Sequence, residues 1–377
     1  PGNHMNKSIS ILALSLATAF VAFPAPFLAV GDGAELFLTG TLGVRSDDNI
    51  FLTNAGKVDD VIMDIKPGIA LTFGKGSLTQ GVFSFTESFV RYSQNSGLDT
   101  ELASLKFSTN YDDGKSKFTT KASYDELNQN TVDNLGNNLA RRDVTNLELN
   151  AELSASAKSK VGFGIKYADT DYKRAGYNDN TTFHIPVNYY YAVTSKVDVS
   201  LGYRYSSTEV QAKPDSTGHS FRVGARGEFS PKTTGSISVG VGSREFDGTA
   251  ISDKDILDLE AALNIALSPK STLKLTASND FGVSGSGQEQ KNFALGGLLR
   301  ASVSEQLSLR GGLNFRKIDY YTREDDYTEL QLGFDYIVSK VVTVQGGFAY
   351  RNNDSGAAGT TGDFKNSVFS LSAMFRY

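Results

Sequence analysis

The sequence predicts an all-β fold, a transmembrane antiparallel up-and-down β-barrel of about 18 strands. The C-terminal stretch Val368–Tyr377 alternates strictly between apolar and polar residues, which predicts a strand with one face of each kind. The same alternation recurs almost everywhere after residue 30. Short turns return at a spacing of roughly 34–38 residues, which is the length of one hairpin of two membrane-crossing strands.

Composition supports an all-β chain and excludes several classes of site. The 377 residues include 37 Gly, 17 Tyr and 24 Phe but only 8 Pro, and the net charge is −5. A mildly acidic chain without Lys/Arg clusters is not expected to bind nucleic acid. The absence of Cys excludes disulfides, Cys-ligated zinc and c-type haem attachment. We therefore expect no cofactor.

The N-terminal region predicts export. Residues 1–4 are interpreted as a vector-derived scar before Met5. Lys7 and the apolar run Ile9–Phe23 then match a secretory signal peptide over residues 5–29, with Ala22, Ala25 and Ala29 as alternative cleavage positions. The run is short for a membrane helix, which needs about 20 residues. Residues 30–377 are predicted to form one barrel domain in the bacterial outer membrane.

The hairpin pattern sets the orientation of the barrel. The near copies Ser230-Pro231-Lys232 and Ser268-Pro269-Lys270 mark short turns on one side. Longer polar segments mark the opposite side: Ser46–Asp60, Asn128–Arg141, Asp169–Asn180, Phe281–Gln290 and Arg351–Asn366. Because such barrels have short periplasmic turns and long outer loops, the last strand is expected to run towards the periplasm.

Two features resist the pattern. Pro67 and Pro186 lie inside predicted strands, where a missing N–H costs a ladder hydrogen bond. Between Phe83 and Tyr92 the apolar phase slips, so we expect a β-bulge near Thr86 to reset it.

A membrane barrel explains the pattern better than a soluble sandwich or a secreted β-solenoid. The predicted strands run about 10–14 residues, as a tilted membrane crossing needs, whereas sandwich strands average about 5–6 residues. Several apolar faces end in tyrosines, which is typical of the aromatic girdles of these barrels. The polar faces carry many charges, and burying these without partners would cost several kcal/mol each.

The strand phase assigns the side chains that face the lumen. We predict these pore-lining charges: Arg204, Arg222, Arg226, Arg244, Asp258, Glu260, Lys274, Arg300, Arg310, Arg316, Glu329 and Asp335. They predict either a polarised constriction that sorts solutes or a wall of paired charges that keeps the lumen wet and stiff. A net basic lumen would favour anions.

An 18-stranded sheet is too wide for wall side chains to fill, so the channel is open or narrowed by a loop. The best constriction candidates are Ser46–Asp60 and Asn128–Arg141, which carry apolar anchors. For Ile50-Phe51-Leu52 we favour a packing contact at the rim over a gate. The acidic loops, among them Glu324-Asp325-Asp326, are interpreted as solvated tips rather than cation sites.

The sequence does not predict an enzyme. His184 and His219 are the candidate bases in the barrel, and no Ser or acid is placed to complete a hydrolytic site with either. His184 is expected to point inward near the outer rim.

The segment Gly43–Thr53, with its Asp48-Asn49-Ile50-Phe51 motif, resembles the opening of a family of outer-membrane β-barrel porins. The closing residues Phe375 and Tyr377 resemble the C-terminal signal that the barrel assembly machinery is thought to recognise. The resemblance implies the barrel fold, contact with outer-membrane lipid and lipopolysaccharide, and no catalytic residue. Some members of the family are linked to capsule or exopolysaccharide export.

Three functions therefore remain open. The favoured one is a porin for passive diffusion of small hydrophilic solutes. The second is an exit pore for a polysaccharide, which would need a periplasmic export partner. The third is a structural or adhesive barrel with a closed lumen. Because a polysaccharide pore is expected to have luminal aromatic platforms, and the inward set includes few (Phe37 and Tyr190), the sequence favours the porin.

Overall fold

The polypeptide forms one continuous antiparallel sheet. A computed structural model describes residues 26–31, 33–136, 138–248, 252–320, 323–356 and 362–377. The predicted scar and residues 5–25 of the predicted signal peptide lie outside these ranges. Within the described ranges, no helix is long and apolar enough to cross a membrane.

The sheet consists of a short first strand and a series of long ones that follow each other around the wall. The strands are β1 (Leu28–Val30), β2 (Ala34–Asp47), β3 (Asp60–Phe73), β4 (Thr79–Tyr92), β5 (Thr100–Asp112), β6 (Ser116–Asn128), β7 (Arg141–Ser154), β8 (Ser159–Tyr172), β9 (Asn180–Ala192), β10 (Val197–Val210), β11 (Ser216–Ser230), β12 (Thr233–Phe246), β13 (Lys254–Ser268), β14 (Ser271–Val283), β15 (Glu289–Ser302), β16 (Leu307–Asp319), β17 (Glu324–Ile337), β18 (Val342–Ser355) and β19 (Phe364–Arg376). One 3-10 turn, Ser96–Leu98, lies between β4 and β5.

The sheet closes on itself between its last and second strands. β19 pairs with β2 from Val368↔Asp47 to Arg376↔Thr39, so strands β2 to β19 form a closed barrel of 18 strands. The predicted fold class, strand number and closure are confirmed. Phe375 and Tyr377 face outward at the end of β19, and their recognition by the assembly machinery stays a prediction.

The short strand β1 continues the seam below β19. It pairs with the start of β2, from Leu28↔Leu36 to Val30↔Ala34. Just above it, Leu38 and Tyr377 exchange two backbone hydrogen bonds of 2.7 and 2.9 Å. The Phe27 ring also contacts the Tyr377 ring at 6.4 Å. Residues 28 and 29, which lie within the predicted signal peptide, thus belong to the wall in this structure.

The two faces of each strand differ as the alternation predicts. On β13, Leu257 is 61% exposed to the outside, whereas the next residue, Asp258, is 1% exposed and points inward. Apolar side chains outside and charged side chains inside would be unfavourable for a protein in water. In a membrane, lipid surrounds the outer apolar face. The inner face can carry charge because its side chains meet one another and water.

The short turns also fall where the sequence predicts them. Strands β11 and β12 are joined by Pro231-Lys232, and β13 and β14 by Pro269-Lys270. In both hairpins the register shifts just before the turn, between Glu228 and Ser230 and between Ala266 and Ser268. The repeated Ser-Pro-Lys sequence therefore corresponds to a repeated bulged turn.

The predicted bulge near Thr86 is wrong. The pairs Gly68↔Thr86 and Ile65↔Phe89 belong to one unbroken register, and only the bridges opposite Lys66 and Pro67 are missing. Pro67 has no N–H to donate, so it interrupts the ladder without inserting a residue. The apparent phase slip arises because Glu87 and Arg91 are outward-facing polar residues.

Several predicted loops are shorter than expected because the strands extend above the membrane. Asp169 and Asp171 belong to β8, and Glu324–Asp326 begins β17. The interpretation of Asp325 as a solvated loop residue is wrong, since its side chain is fully buried and bonded to Arg323 and Ser355. Propensity could not locate these ends because short polar residues occur both in loops and at the outer ends of barrel strands.

The assignment of faces predicts unequal effects of one charge at neighbouring positions. Leu263→Arg would place a guanidinium in the lipid near the middle of β13, and we expect it to lower the free energy of unfolding by about 2–4 kcal/mol. Asn264→Arg faces the lumen and should cost little. Urea unfolding of both variants in lipid vesicles measures the difference. Equal losses would contradict the assigned phase.

Candidate functional site

One arc of the inner wall is filled by its own ion pairs. Arg204 on β10 contacts Asp258 on β13 at 3.1 Å and makes a two-pronged bond to Asp280 on β14 at 2.7 and 2.8 Å. Ser220 on β11 donates to the same Asp258 carboxylate. The Asp258 side chain is 2% exposed and that of Arg204 12%. Charges buried to this degree act as packing elements rather than as free solute contacts.

The network continues towards the periplasm with the next residues on the same strands. Arg222 pairs with Glu260 at 2.7 Å. Arg226 on β11 reaches Glu152 on β7 at 2.6 Å and binds Asp198 through its Nε and Nη2 atoms. Its guanidinium also lies 3.4 Å from the centre of the Tyr190 ring.

These contacts show that the arc from β7 to β14 is tightly curved. Arg204 and Asp280 lie four strands apart, which corresponds to about 19 Å along the wall at about 4.8 Å per strand. Direct hydrogen bonds across that interval require the wall to bend round them. The same holds for Arg226 and Glu152. This side of the barrel is therefore packed across by ion pairs.

The other predicted luminal charges fall into two groups. Near the outer end, Arg244 pairs with Glu289, and Glu329, which is 1% exposed, pairs with Arg351 at 3.2 Å. In the periplasmic half, Arg310 pairs with Asp335 at 2.6 Å, and Gln345 donates to the same carboxylate. The structure thus brings most of the predicted acids and bases together, as the paired-wall interpretation expects.

Lys274 and Arg300 are exceptions to this pairing. Both face the periplasmic half of the lumen, and among the described residues neither forms an ion pair. Arg300 lies directly opposite Arg310 on the neighbouring strand. Like charges in such a cross-strand pair repel each other. A cationic patch is therefore left at this end of the channel.

The loop between β2 and β3 turns into the barrel through the Asp-Asn-Ile-Phe motif. Asn49, which is fully buried, donates to the carbonyls of Thr53 at 2.8 Å and Lys365 at 3.0 Å. Its side-chain oxygen accepts from the Thr53 N–H at 3.0 Å. These bonds hold a tight turn in which Leu52 takes a φ of 55°. The motif thus directs the apolar side chains of the loop towards the lumen.

Those apolar side chains join opposite parts of the outer mouth. Ile50 packs with Ile62, Val90, Tyr92 and Leu139. Leu52 packs in a second cluster, whose other buried members are Val132, Ile318, Tyr320, Tyr327 and Phe364. The triplet thus makes the predicted packing contact at the rim, and the contact extends further than expected because Leu52 reaches strands on the other side of the seam.

The loop between β6 and β7 crosses the lumen. Its Asp133 accepts two hydrogen bonds from Arg316 on β16, at 2.9 and 3.0 Å, and one from Gln290 on β15 at 3.1 Å. The Gly285 N–H, in the loop after β14, donates to the Asp133 carbonyl at 2.7 Å. We call residues 48–59 and 129–140 together the plug. Both loops of the plug lie in the predicted constriction candidates, and their contacts span the outer mouth.

Sequence reasoning missed the residues that fix the plug. Asp133 and Arg142 carry no local motif, and their partners lie far along the chain or are loop carbonyls. Asn49 could have been found, since a polar residue before an apolar triplet suggests a turn. His184 points inward as predicted, and its Nδ1 has no hydrogen-bond partner in the described structure.

Breaking the packed arc should cost more than breaking an exposed pair. Asp258→Asn leaves Arg222 and Arg204 short of a buried carboxylate, and we expect about 3 kcal/mol of lost unfolding free energy. Asp335→Asn, whose carboxylate is 26% exposed, should cost less than about 1 kcal/mol. Denaturant unfolding in vesicles provides the comparison, and a reversed order would contradict the packed arc.

The plug should resist acid down to an unusually low pH. Burial alone would raise the pKa of Asp133, but the charge and hydrogen bonds of Arg316 outweigh it and lower that pKa. A lowered pKa contributes stability above the ordinary value of about 3.9, and this stability is lost as the pH falls through the folded-state pKa. Channel current should therefore not change between pH 7 and pH 5 through this group. Asp133→Asn should raise the current throughout that range.

Comparison with solved structures finds barrels of similar extent but distant sequence. OccK2 (OpdF) of Pseudomonas aeruginosa aligns at 9% identity and a TM-score of 0.49, covering 91% of this chain and 98% of the other. OpdL of the same species aligns at 13% identity and 0.47, covering 92% and 99%. The FrpB iron transporter of Neisseria meningitidis aligns at 8% and 0.44, covering 84% of this chain, which spans 62% of the transporter.

The family comparison is decisive where the structural alignments are not. No curated protein matches the sequence. A family model described as "Putative beta-barrel porin 2" matches residues 26–377, which is the whole described barrel. Its members are channels rather than enzymes by that description, in agreement with the sequence prediction. The chain belongs to this β-barrel porin family and is a porin-like channel of the bacterial outer membrane.

Proposed function

We propose that the barrel is a channel for passive diffusion of small hydrophilic solutes, with a preference for anions. The observation that carries the proposal is the cationic patch of Lys274, Arg300 and Arg310 in the periplasmic half of the lumen. Arg310 has Asp335 as a partner, whereas the described structure provides no acid for the other two. A solute that carries negative charge would be attracted to this patch.

The charges on the rest of the wall also favour a positive electrostatic potential in the lumen. In the packed arc each Arg side chain is matched by carboxylates, so the arc adds little net field. Beside the arc, on β5 and β6, two luminal lysines are paired but exposed: Lys106 by 49% and Lys121 by 61%, at 3.8 and 3.7 Å from Asp125 and Glu148. Loose pairs of this kind leave the ammonium groups available to a passing anion.

The polysaccharide exit pore is less well supported. Sugar platforms need open aromatic faces, but the two predicted luminal rings, Phe37 and Tyr190, are covered by guanidinium groups. Arg376 lies 4.1 Å above Phe37, and Arg226 lies 3.4 Å above Tyr190. These two rings therefore do not offer a polysaccharide the open faces it would stack on. Contacts with lipopolysaccharide and with the assembly machinery remain expectations of the family.

Ion selectivity in planar bilayers tests the proposal. Wild-type protein should conduct, and its reversal potential in a KCl gradient should lie on the chloride side. Lys274→Gln/Arg300→Gln should move the reversal potential towards the potassium side, because the patch then keeps only a neutralised Arg310. A silent barrel would favour the closed-lumen alternative.

A matched control removes two charges at the same end of the barrel without touching the lumen. Lys232 and Lys270 lie exposed in the periplasmic turns, so Lys232→Gln/Lys270→Gln makes the same change in net charge. This variant should keep the wild-type reversal potential. If both double variants shift it equally, selectivity comes from the total charge of the mouth and not from the luminal patch.

A further inference from the structure

Arg142, at the outer end of β7, is a buried cation whose hydrogen bonds are incomplete. Its side chain is fully buried under the plug. Nη1 donates to the carbonyls of Gln129 at 3.0 Å and Ala140 at 2.9 Å. Nε and Nη2 are both buried, and among the described residues neither has a partner. A buried guanidinium without a counter-ion is costly, so this arrangement calls for an explanation.

The two unpartnered atoms form one edge of the guanidinium. Through this edge arginine binds a carboxylate side-on. The same barrel shows the geometry twice, since Arg226 binds Asp198 through Nε and Nη2, and Arg323 binds Asp325 in the same way. Arg142 presents the identical edge with no carboxylate on it.

The carboxylate that acts electrostatically on Arg142 is already bonded to other residues. Asp133 contributes to the electrostatic surroundings of Arg142, but both of its oxygens are bonded to Arg316 and one also to Gln290. The cluster of Arg142, Arg316 and Asp133 therefore holds two cations and one anion. Tyr172, the cross-strand neighbour of Arg142, bonds Asn134 instead, and its ring stacks on Tyr177 at 5.0 Å.

We propose that Arg142 is a binding site for the carboxylate of a small solute, which becomes accessible when the loop 129–140 moves. In the plugged state the edge is sealed and uncompensated. In the loop-displaced state an incoming carboxylate completes the pairing that Asp133 does not supply. Because a ligand shifts a conformational equilibrium by its differential affinity for the two states, such a solute would favour the open channel.

This proposal rests on the proposed function, because the channel brings the anionic solute to the site. It specifies that the solute carries a carboxylate. It assigns a carboxylate-binding role to a residue at the outer mouth, separate from the periplasmic patch. Arg316 holds the plug through Asp133. Arg142 contacts the plug through Nη1, and its Nε–Nη2 edge binds the solute.

Binding is tested with acetate and its neutral isostere acetamide on the full chain in detergent, at constant ionic strength. The thermal unfolding midpoint should rise saturably with acetate and not with acetamide, since a ligand of the native state stabilises it. Arg142→Gln should weaken the acetate response at least tenfold. Arg142→Lys, which keeps the charge but loses the edge, should weaken it less. Asp133→Asn should strengthen it by releasing the loop.

Each outcome decides. An equal acetate response in wild type and Arg142→Gln, or an equal response to acetamide, would overturn the site. No acetate response in the wild type would also overturn the site. If Arg142→Gln fails to fold, the ranking of wild type, Arg142→Lys and Asp133→Asn still tests the proposal. Because the readout needs no ion flow, a silent barrel that binds acetate would refute the channel and leave the site standing.

Discussion

The structure depends on one constraint: a backbone that crosses a bilayer must satisfy its own N–H and C=O groups. A sheet meets that constraint only by closing, and here the closure is the pairing of β19 with β2. Because the sheet is closed, each strand has one face in contact with lipid and one face towards the lumen. Leu257 is therefore exposed to lipid, whereas its neighbour Asp258 is buried on the luminal side. Even β1 fits this account, because it covers the part of the β2 edge that β19 does not reach.

Closure with 18 strands creates a second problem, since the interior is too wide for wall side chains alone to fill. The chain uses two different solutions. Between β7 and β14 the wall bends until Arg204 meets Asp280 across four strands, and ion pairs occupy the interior. At the outer mouth, the loops carrying Leu52 and Asp133 span the gap instead. Within the described part of the chain, Lys274 on β14 and Arg300 on β15 take part in neither solution, so they add unpaired positive charge to the periplasmic half of the passage.

The fold could be predicted because alternation is a local signal that lipid and lumen enforce on every strand. The contacts of the candidate site could not. Arg204 and Asp280 are 76 residues apart, and Arg316 and Asp133 are 183 apart, and no local pattern encodes which luminal charges the curvature of the wall brings together. The predicted bulge failed for a related reason: Glu87 is polar on a lipid face, and a pattern that assumes an apolar outside must treat it as a slip in phase. Asn49 lies between these cases, since its turn is local but its bond to Lys365 depends on closure.

Some interactions stabilise the plug inside the lumen and another destabilises it. The apolar clusters around Ile50 and Leu52 and the paired Asp133 favour the loop inside the lumen, whereas the uncompensated edge of Arg142 opposes it. A purely structural plug would be better served by an apolar side chain at position 142, because replacing a buried charge by a hydrophobic residue is often neutral or stabilising. The same guanidinium edges of Arg226 and Arg323 in this barrel are occupied by carboxylates. An edge left open beneath a loop that spans the mouth therefore lowers the cost of moving that loop, and it does so selectively for a solute that brings a carboxylate of its own.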